Sequence, residues 1–362
     1  MPFSSPFADL SLARGAVMRS YDGIELAESF TDPRTEAIET RLGAGLFDRS
    51  LRAGLIFTGP DRVTFLHNLL SNDIAALRPG TGCYATLLTR ESKVVADADV
   101  LCMDDAIRLE LDRRVKDKAR AHLERFLVAD DVEIEDRSEQ DTSLGVHGKR
   151  AAEIVKAALP DCDLPQQELE HRPATMAGAR LLVVRTDWTG DPGFDFVTAR
   201  TDAPRVWEAM LTAGEARGLR PAGMAAAGIL RLEAGRPRVG IDFDETRLVL
   251  EAALERGIHF SKGCYLGQEI VERASARGHV NWRLVGLRIE GKAPPQSDAR
   301  ILAEGAEVGR VTSAAFSPHL DSAIALGYVR RAFTAPGTRV SVEISGGSVP
   351  AVVATSPFYR RS

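Results

Sequence analysis

The apolar positions of this chain change pattern three times along its length. Leu55-Ile56-Phe57-Thr58 is a short apolar run that stops at Gly59-Pro60 and predicts a strand. Asp61 can cap the helix that follows, which carries Val63, Leu66, Leu69 and Leu70 on one face. Tyr84 to Leu88 and Val94 to Leu101 predict strands, and Ile107-Arg108-Leu109-Glu110-Leu111 alternates as a half-buried strand does. Val115, Ala119, Leu123, Phe126 and Leu127 at helical spacing predict a second helix, and Val132-Glu133-Ile134 a closing strand. Over about residues 52 to 137 this is the order of a split βαβ, ferredoxin-like α+β unit.

A second α+β unit is predicted from about residue 143 to 255. It has strands at Leu144 to Val146, Leu181 to Arg185 and Phe194 to Val197, and helices at Ala151 to Leu159 and after Asp202. Met224 to Ala234 predicts a small-residue helix suited to close packing. Residues 1 to 50 give short apolar pieces between turns, with Arg41 to Asp48 read as a loop entering a strand. From Trp282 onward the runs are short and separated by Gly and Pro: Leu284 to Ile289, Val308 to Thr312, Ile324 to Val329, Val340 to Ile344 and Ala351 to Ala354. That pattern predicts a small antiparallel barrel. The chain therefore divides at residues 1–278 and 279–362.

Composition narrows the partners. A net charge of −5 and 27% charged residues supply no strong field for nucleic acid or an anionic membrane. No apolar run approaches the roughly 18 residues of a membrane span. Four scattered cysteines, Cys83, Cys102, Cys162 and Cys264, form no CxxC pair, which suggests neither a disulfide framework nor a zinc site and fits a reducing, cytoplasmic setting.

Several stretches carry candidate chemistry. In Lys262-Gly263-Cys264-Tyr265-Leu266-Gly267-Gln268-Glu269 a cysteine lies between glycines, ahead of a predicted helix that Gly278 closes. Lys262 and the helix N-terminus would favour a thiolate there; a small buried thiol in a tight turn explains the same residues. His259 and His279 flank this loop. Tyr84 can stack on a flat ligand or pack in the core. Asp97 and Asp99 alternate on one strand face. Trp188-Thr189-Gly190-Asp191-Pro192-Gly193-Phe194-Asp195 is a turn that sets an aromatic ring near an acid, and Arg231 lies in the last turn of the small-residue helix.

The segment Lys262 to Glu269 resembles the KGCYxGQE motif of YgfZ-type folate-binding proteins, relatives of the glycine-cleavage T-protein that include iron–sulfur assembly factors. Thr58 to Leu66 with Leu70-Ser71-Asn72-Asp73-Ile74, the Trp188 to Asp195 turn, and Arg231-Leu232-Glu233-Ala234-Gly235 are similar to further T-protein motifs in the same order. The resemblance implies a three-part T-protein-like fold, two α+β units around a central folate cavity plus the barrel. It implies tetrahydrofolate or a derivative as cofactor, with Tyr84, Asp97, Trp188, Asp195 and Arg231 at the site. Asp195 would accept from the pterin's amino and N–H groups.

T-proteins carry two adjacent aspartates where this chain has Ala96-Asp97, and Cys264 has no counterpart among their motifs. The expectation is therefore a folate-dependent factor for iron–sulfur cluster assembly or repair. Cys264 would be its functional thiol or transient cluster ligand, and iron–sulfur assembly proteins or client enzymes its partners. The alternative is a tetrahydrofolate-dependent one-carbon transferase with Asp97 as acid or base. A plain folate-binding module is a third reading.

Overall fold

The computed structural model describes residues 4–277 and 280–359. Gly278 and His279, where the helix stop, a flanking histidine and the domain boundary were expected, lie outside the described residues.

The first α+β unit is a five-stranded antiparallel sheet in the spatial order Thr81–Leu88, Val94–Cys102, Ile107–Asp112, Arg52–Thr58 and Glu133–Asp136. Helices Arg62–Leu69 and Lys116–Glu124 cover one face. Strand alternation sends Ala96, Ala98 and Val100 into that covered core, while Asp97 and Asp99 project from the opposite face.

The second unit is a six-stranded sheet ordered His171–Met176, Ala179–Thr186, Gly193–Ala199, Asp141–His147, Ala44–Asp48 and Leu219–Pro221, the last pair parallel. Helices Ala151–Ala158 and Ala203–Gly214 pack on it around the fully buried Trp207. Ala44–Asp48 is the strand that the sequence pattern led into, and it belongs to the second sheet rather than the first. Arg41 and Leu42, read as loop, form the last turn of helix Pro33–Leu42. Asp32 caps that helix by accepting from the Thr35 N–H at 3.0 Å, and Pro33 opens it.

Met224–Glu233 packs between the hairpin Val17–Tyr21/Ile24–Ser29, helix Pro33–Leu42 and the C-terminal barrel. Buried Glu36 fixes its start by accepting from the Gly223 N–H at 2.7 Å. The barrel is closed by six strands, Trp282–Ile289, Ser322–Arg330, Ala306–Ser317, Arg300–Ala303, Arg339–Ile344 and Gly347–Ala354. Arg300–Ala303 and His171–Met176 are strands that the apolar pattern had not marked. Among the described residues no helix is long and apolar enough to cross a membrane.

Candidate functional site

The uncovered faces of the two sheets, helix Met224–Glu233 and the segment Arg236–Ile241 enclose a cavity of about 310 Å³. Tyr84 and Asp97 come from adjacent strands of the first sheet, Asp195 from the second, Trp188 from the turn before it and Arg231 from the helix; all five line this cavity.

Two clusters face each other across it. In one, the Tyr84 hydroxyl donates to Asp97 Oδ2 at 2.9 Å, and the Arg256 guanidinium lies 3.7 Å from the centre of the Tyr84 ring. Arg52 donates to Asp99 Oδ2 at 2.8 Å and to the Glu110 carbonyl at 2.6 Å. Burial pushes the Asp97 carboxyl up; Arg52 and the Tyr84 hydroxyl only partly offset this. A raised carboxyl beside a hydroxyl donor suits proton exchange within a cavity.

In the other cluster, Asp195 Oδ1 lies 3.0 Å from His147 Nε2 and its Oδ2 3.5 Å from Arg49. Burial raises the Asp195 carboxyl, but Arg49 and the hydrogen bond from His147 outweigh it and hold it down to about 2. Burial keeps His147 neutral by lowering its ring, so Nε2 carries the proton that Asp195 accepts. Gly193 makes this arrangement sterically possible, since a Cβ there would sit 2.0 Å from His147 Nδ1. The Trp188 ring rests on Phe47 and His147 with centroid separations of 5.2 and 4.6 Å, and the Arg49 guanidinium lies 4.4 Å from its centre. Trp188 Nε1–H and Arg49 Nε–H are buried donors without a hydrogen-bond partner among the described residues.

Arg231 does not reach across the cavity. Its Nη1 donates to the buried Asp242 at 2.6 Å and to the Arg236 carbonyl at 3.1 Å. Thr312 and Ser313 of the barrel donate to the same Asp242 at 2.6 and 2.5 Å, so Arg231 ties the cavity wall to the barrel. Asp187 and Glu168, also in the lining, face Arg236 and Arg256 in ion pairs of 2.6 and 3.0 Å.

The cysteine loop lies elsewhere. Cys264 is exposed and is absent from the cavity lining. Lys262, expected to favour a thiolate, is buried and spends its ammonium group on the carbonyls of His67, Leu70 and Asn72. Tyr265 packs in the core behind the cavity, Gln268 accepts from the Tyr265 N–H at 3.2 Å, and Glu269 pairs with Arg273 on the exposed face of helix Gln268–Arg277. Gly263 has open space around it. His259 donates its backbone N–H to Ser71.

Sequence reasoning missed Arg49, Arg52 and His147. The first two were visible as arginines between the apolar residues Leu46, Phe47, Leu51 and Leu55. His147 follows the predicted strand Leu144 to Val146, ends the observed strand Asp141–His147, and carries no local signal of its partner. The doubt raised by Ala96 is also corrected. Neighbours on a strand point to opposite faces, and residue 96 faces the hydrophobic core, so a carboxylate there would not enter the cavity.

Residues 7–262 match the GCVT N-terminal domain family, and residues 283–360 match the glycine cleavage T-protein C-terminal barrel domain. An aminomethyltransferase from Geobacillus thermodenitrificans is 35% identical over 96% of this chain and 96% of its own length. One from Picosynechococcus is 31% identical over 99% of this chain and 98% of its own. The crystal structure of glycine cleavage system aminomethyltransferase T from Bartonella henselae superposes with a TM-score of 0.90 at 25% identity, covering 99% of this chain and 98% of that one.

These relatives overturn the expected iron–sulfur role. The relatives described above are similar to the chain from end to end and are named aminomethyltransferases, which contradicts a cluster-assembly role, a cluster on Cys264 and iron–sulfur partners. Among the described residues no three His, Cys, Asp or Glu side chains gather in a way that could hold a metal ion.

Proposed function

The chain belongs to the glycine cleavage T-protein family, and from that premise we propose that it is a tetrahydrofolate-dependent one-carbon transferase acting on an aminomethyl or methyl group. The observation that carries this reading is the opposition of two unlike acids across one cavity, Asp195 held ionised and Asp97 pushed up.

The residues fit a reduced pterin. A volume of about 310 Å³ is at the lower end of the ~300–1,000 Å³ of small-molecule sites. Asp195, ionised and fixed by His147 and Arg49, is an acceptor for a paired ring N–H and amino group. Trp188 offers a ring face beside it. Tetrahydrofolate, when bound, supplies the amine nitrogen that takes up the one-carbon unit.

Asp97 is the group assigned to proton transfer. Tyr84 orients its Oδ2, and Arg52, occupied by Asp99 and the Glu110 carbonyl, moderates its charge without neutralising it by direct contact. The KGCYLGQE loop marks a likeness to the YgfZ-type branch, and on this reading it belongs to a transferase scaffold rather than to metal chemistry.

A reconstituted glycine-cleavage assay tests the proposal, with a T-protein relative as positive control. Tetrahydrofolate-dependent turnover that is lost in Asp97→Asn is the expected result. No turnover where the control is active would refute it.

A further inference from the structure

The proposed reaction leaves the motif Lys262 to Glu269 without a task. Its lysine is buried yet forms no ion pair among the described residues. Its Nζ instead donates to three backbone carbonyls, those of His67, Leu70 and Asn72, the last two at 2.8 Å. An ammonium has three protons, and all three are used. His67 belongs to the last turn of helix Arg62–Leu69 and Leu70 caps it, where carbonyls lack intrahelical partners and the helix dipole is negative.

Further bonds join the same segments. The Leu266 N–H donates to the Asn68 carbonyl at 3.0 Å, and the Ser71 hydroxyl donates to the Gly257 carbonyl at 2.6 Å. Gly267, at φ +88°, approaches the Thr89 carbonyl so closely that a Cβ would sit 2.6 Å from its oxygen.

The held segment continues into the site. The Asn72 side-chain amide donates to the Tyr84 carbonyl at 2.8 Å, and the Thr86 N–H donates to Ser71 Oγ at 2.9 Å. Thr86 lies opposite Asp97 in the strand register, and the Tyr84 hydroxyl bonds Asp97. A continuous path thus runs from Lys262 through Asn72 to Tyr84 and the cavity acid.

We propose that Lys262 is a positioning residue for the Tyr84–Asp97 pair, acting through the backbone of Leu70 to Asn72. Its effect on rate rests on the transferase reading; its effect on Tyr84 geometry does not. A buried ammonium without a counter-ion costs stability relative to an apolar side chain, and a demand for fixed geometry around residues 70 to 72 accounts for its presence. Burial draws this ammonium down to about 8, Asp73 and Cys83 only partly opposing it. Above that pH the group loses one donor, and turnover should fall on the alkaline side.

Kinetics and NMR of Lys262→Met decide the matter together. The variant should lower kcat about tenfold or more while changing the folate KM less than about twofold, as misplacement of a reacting group does. In a Tyr84→Phe background the same substitution should change kcat by less than about twofold, because the hydroxyl that Lys262 positions on Asp97 is already absent. The alkaline limb near pH 8 should vanish with it. In protein labelled with [13Cζ]tyrosine, the Tyr84 resonance should move in Lys262→Met in the direction it moves in Asp97→Asn. Asn72→Ala should give the same shift, and it carries the test if Lys262→Met does not fold. Equal kcat losses in both backgrounds, or an unmoved Tyr84 resonance in a folded variant, would overturn the proposal. If the wild-type protein turns over no tetrahydrofolate, the transferase reading fails and the resonance alone decides the positioning role.

Discussion

The Asp195 carboxylate and the His147 ring meet at 3.0 Å between neighbouring strands whose register sets Asp195 beside Gly145, two residues before His147. The absence of a side chain at residue 193 lets the ring lie there. Two pH dependences follow with the same sign. Asp195 titrates at about 2 when folded against about 3.8 when unfolded, so its stabilisation is complete above pH 3.8 and lost as pH falls toward 2. That difference corresponds to about 2 kcal/mol of stability at neutral pH. His147 is lowered from 6.5, so the unfolded chain gains a proton first and stability falls as pH drops below 6.5. Denaturation of wild type and Asp195→Asn from pH 7 to 2.5 isolates the Asp195 share: the variant should lose less stability between about pH 4 and 2, where Asp136 and Asp244 still contribute, and keep the slope that begins near 6.5, to which His67, His122 and His171 also contribute.

Replacing Ala96 with Asp should not improve the site. Residue 96 lies in the core beneath helices Arg62–Leu69 and Lys116–Glu124, at 2% exposure. An unpaired carboxyl there should destabilise the fold by about 3 kcal/mol or more, with no gain in turnover. Urea denaturation and the transferase assay measure both quantities; a stable variant with raised turnover would show that residue 96 faces the cavity after all.

Among the cysteines, Cys264 should be alkylated first because it alone is exposed, Cys83 and Cys162 being half-buried and Cys102 buried. Burial pushes Cys83 up to about 12 and also raises Cys102 and Cys162, which suppresses their thiolates at neutral pH. Cys264→Ser should change stability by less than about 0.5 kcal/mol, as substitutions at exposed sites usually do, and leave turnover unchanged. Mass spectrometry after limited iodoacetamide treatment reads the order of labelling. Loss of turnover in Cys264→Ser would return the cysteine to the mechanism.

The first sheet was legible because its strands are apolar runs cut by Gly, Pro and Asp, and the barrel because its runs are short and evenly punctuated. Helix Pro33–Leu42 was not, since it is mostly polar and its capping pair Asp32-Pro33 was the one local sign. Arg300–Ala303 has only four residues and its partners lie on strands on either side of the barrel. The site shows the same division. Tyr84, Trp188 and Asp195 carry local motifs, whereas His147 precedes its acid by 48 residues and only the sheet register joins them. Lys262 was read from its chain neighbour Cys264, while its actual partners lie 190 to 195 residues earlier. Strand alternation separates residues 96 and 97 onto opposite faces of the first sheet.

Tyr84→Phe removes one hydroxyl and leaves the Arg256 contact with the ring. It should lower kcat with little change in folate affinity, and should move the acid limb of the pH–rate profile upward, because the hydroxyl is one of the groups that lowers Asp97. A profile unchanged from wild type would separate Tyr84 from the titrating acid.

The central claim is that the cavity between Asp195 and Asp97 holds reduced folate. Anaerobic calorimetric titration with tetrahydrofolate tests it most directly. One molecule should bind per chain, and Asp195→Asn should weaken binding by about 1–3 kcal/mol through loss of a charged acceptor. Absence of binding by the folded wild-type protein at millimolar tetrahydrofolate, or an affinity indifferent to Asp195→Asn, would contradict it.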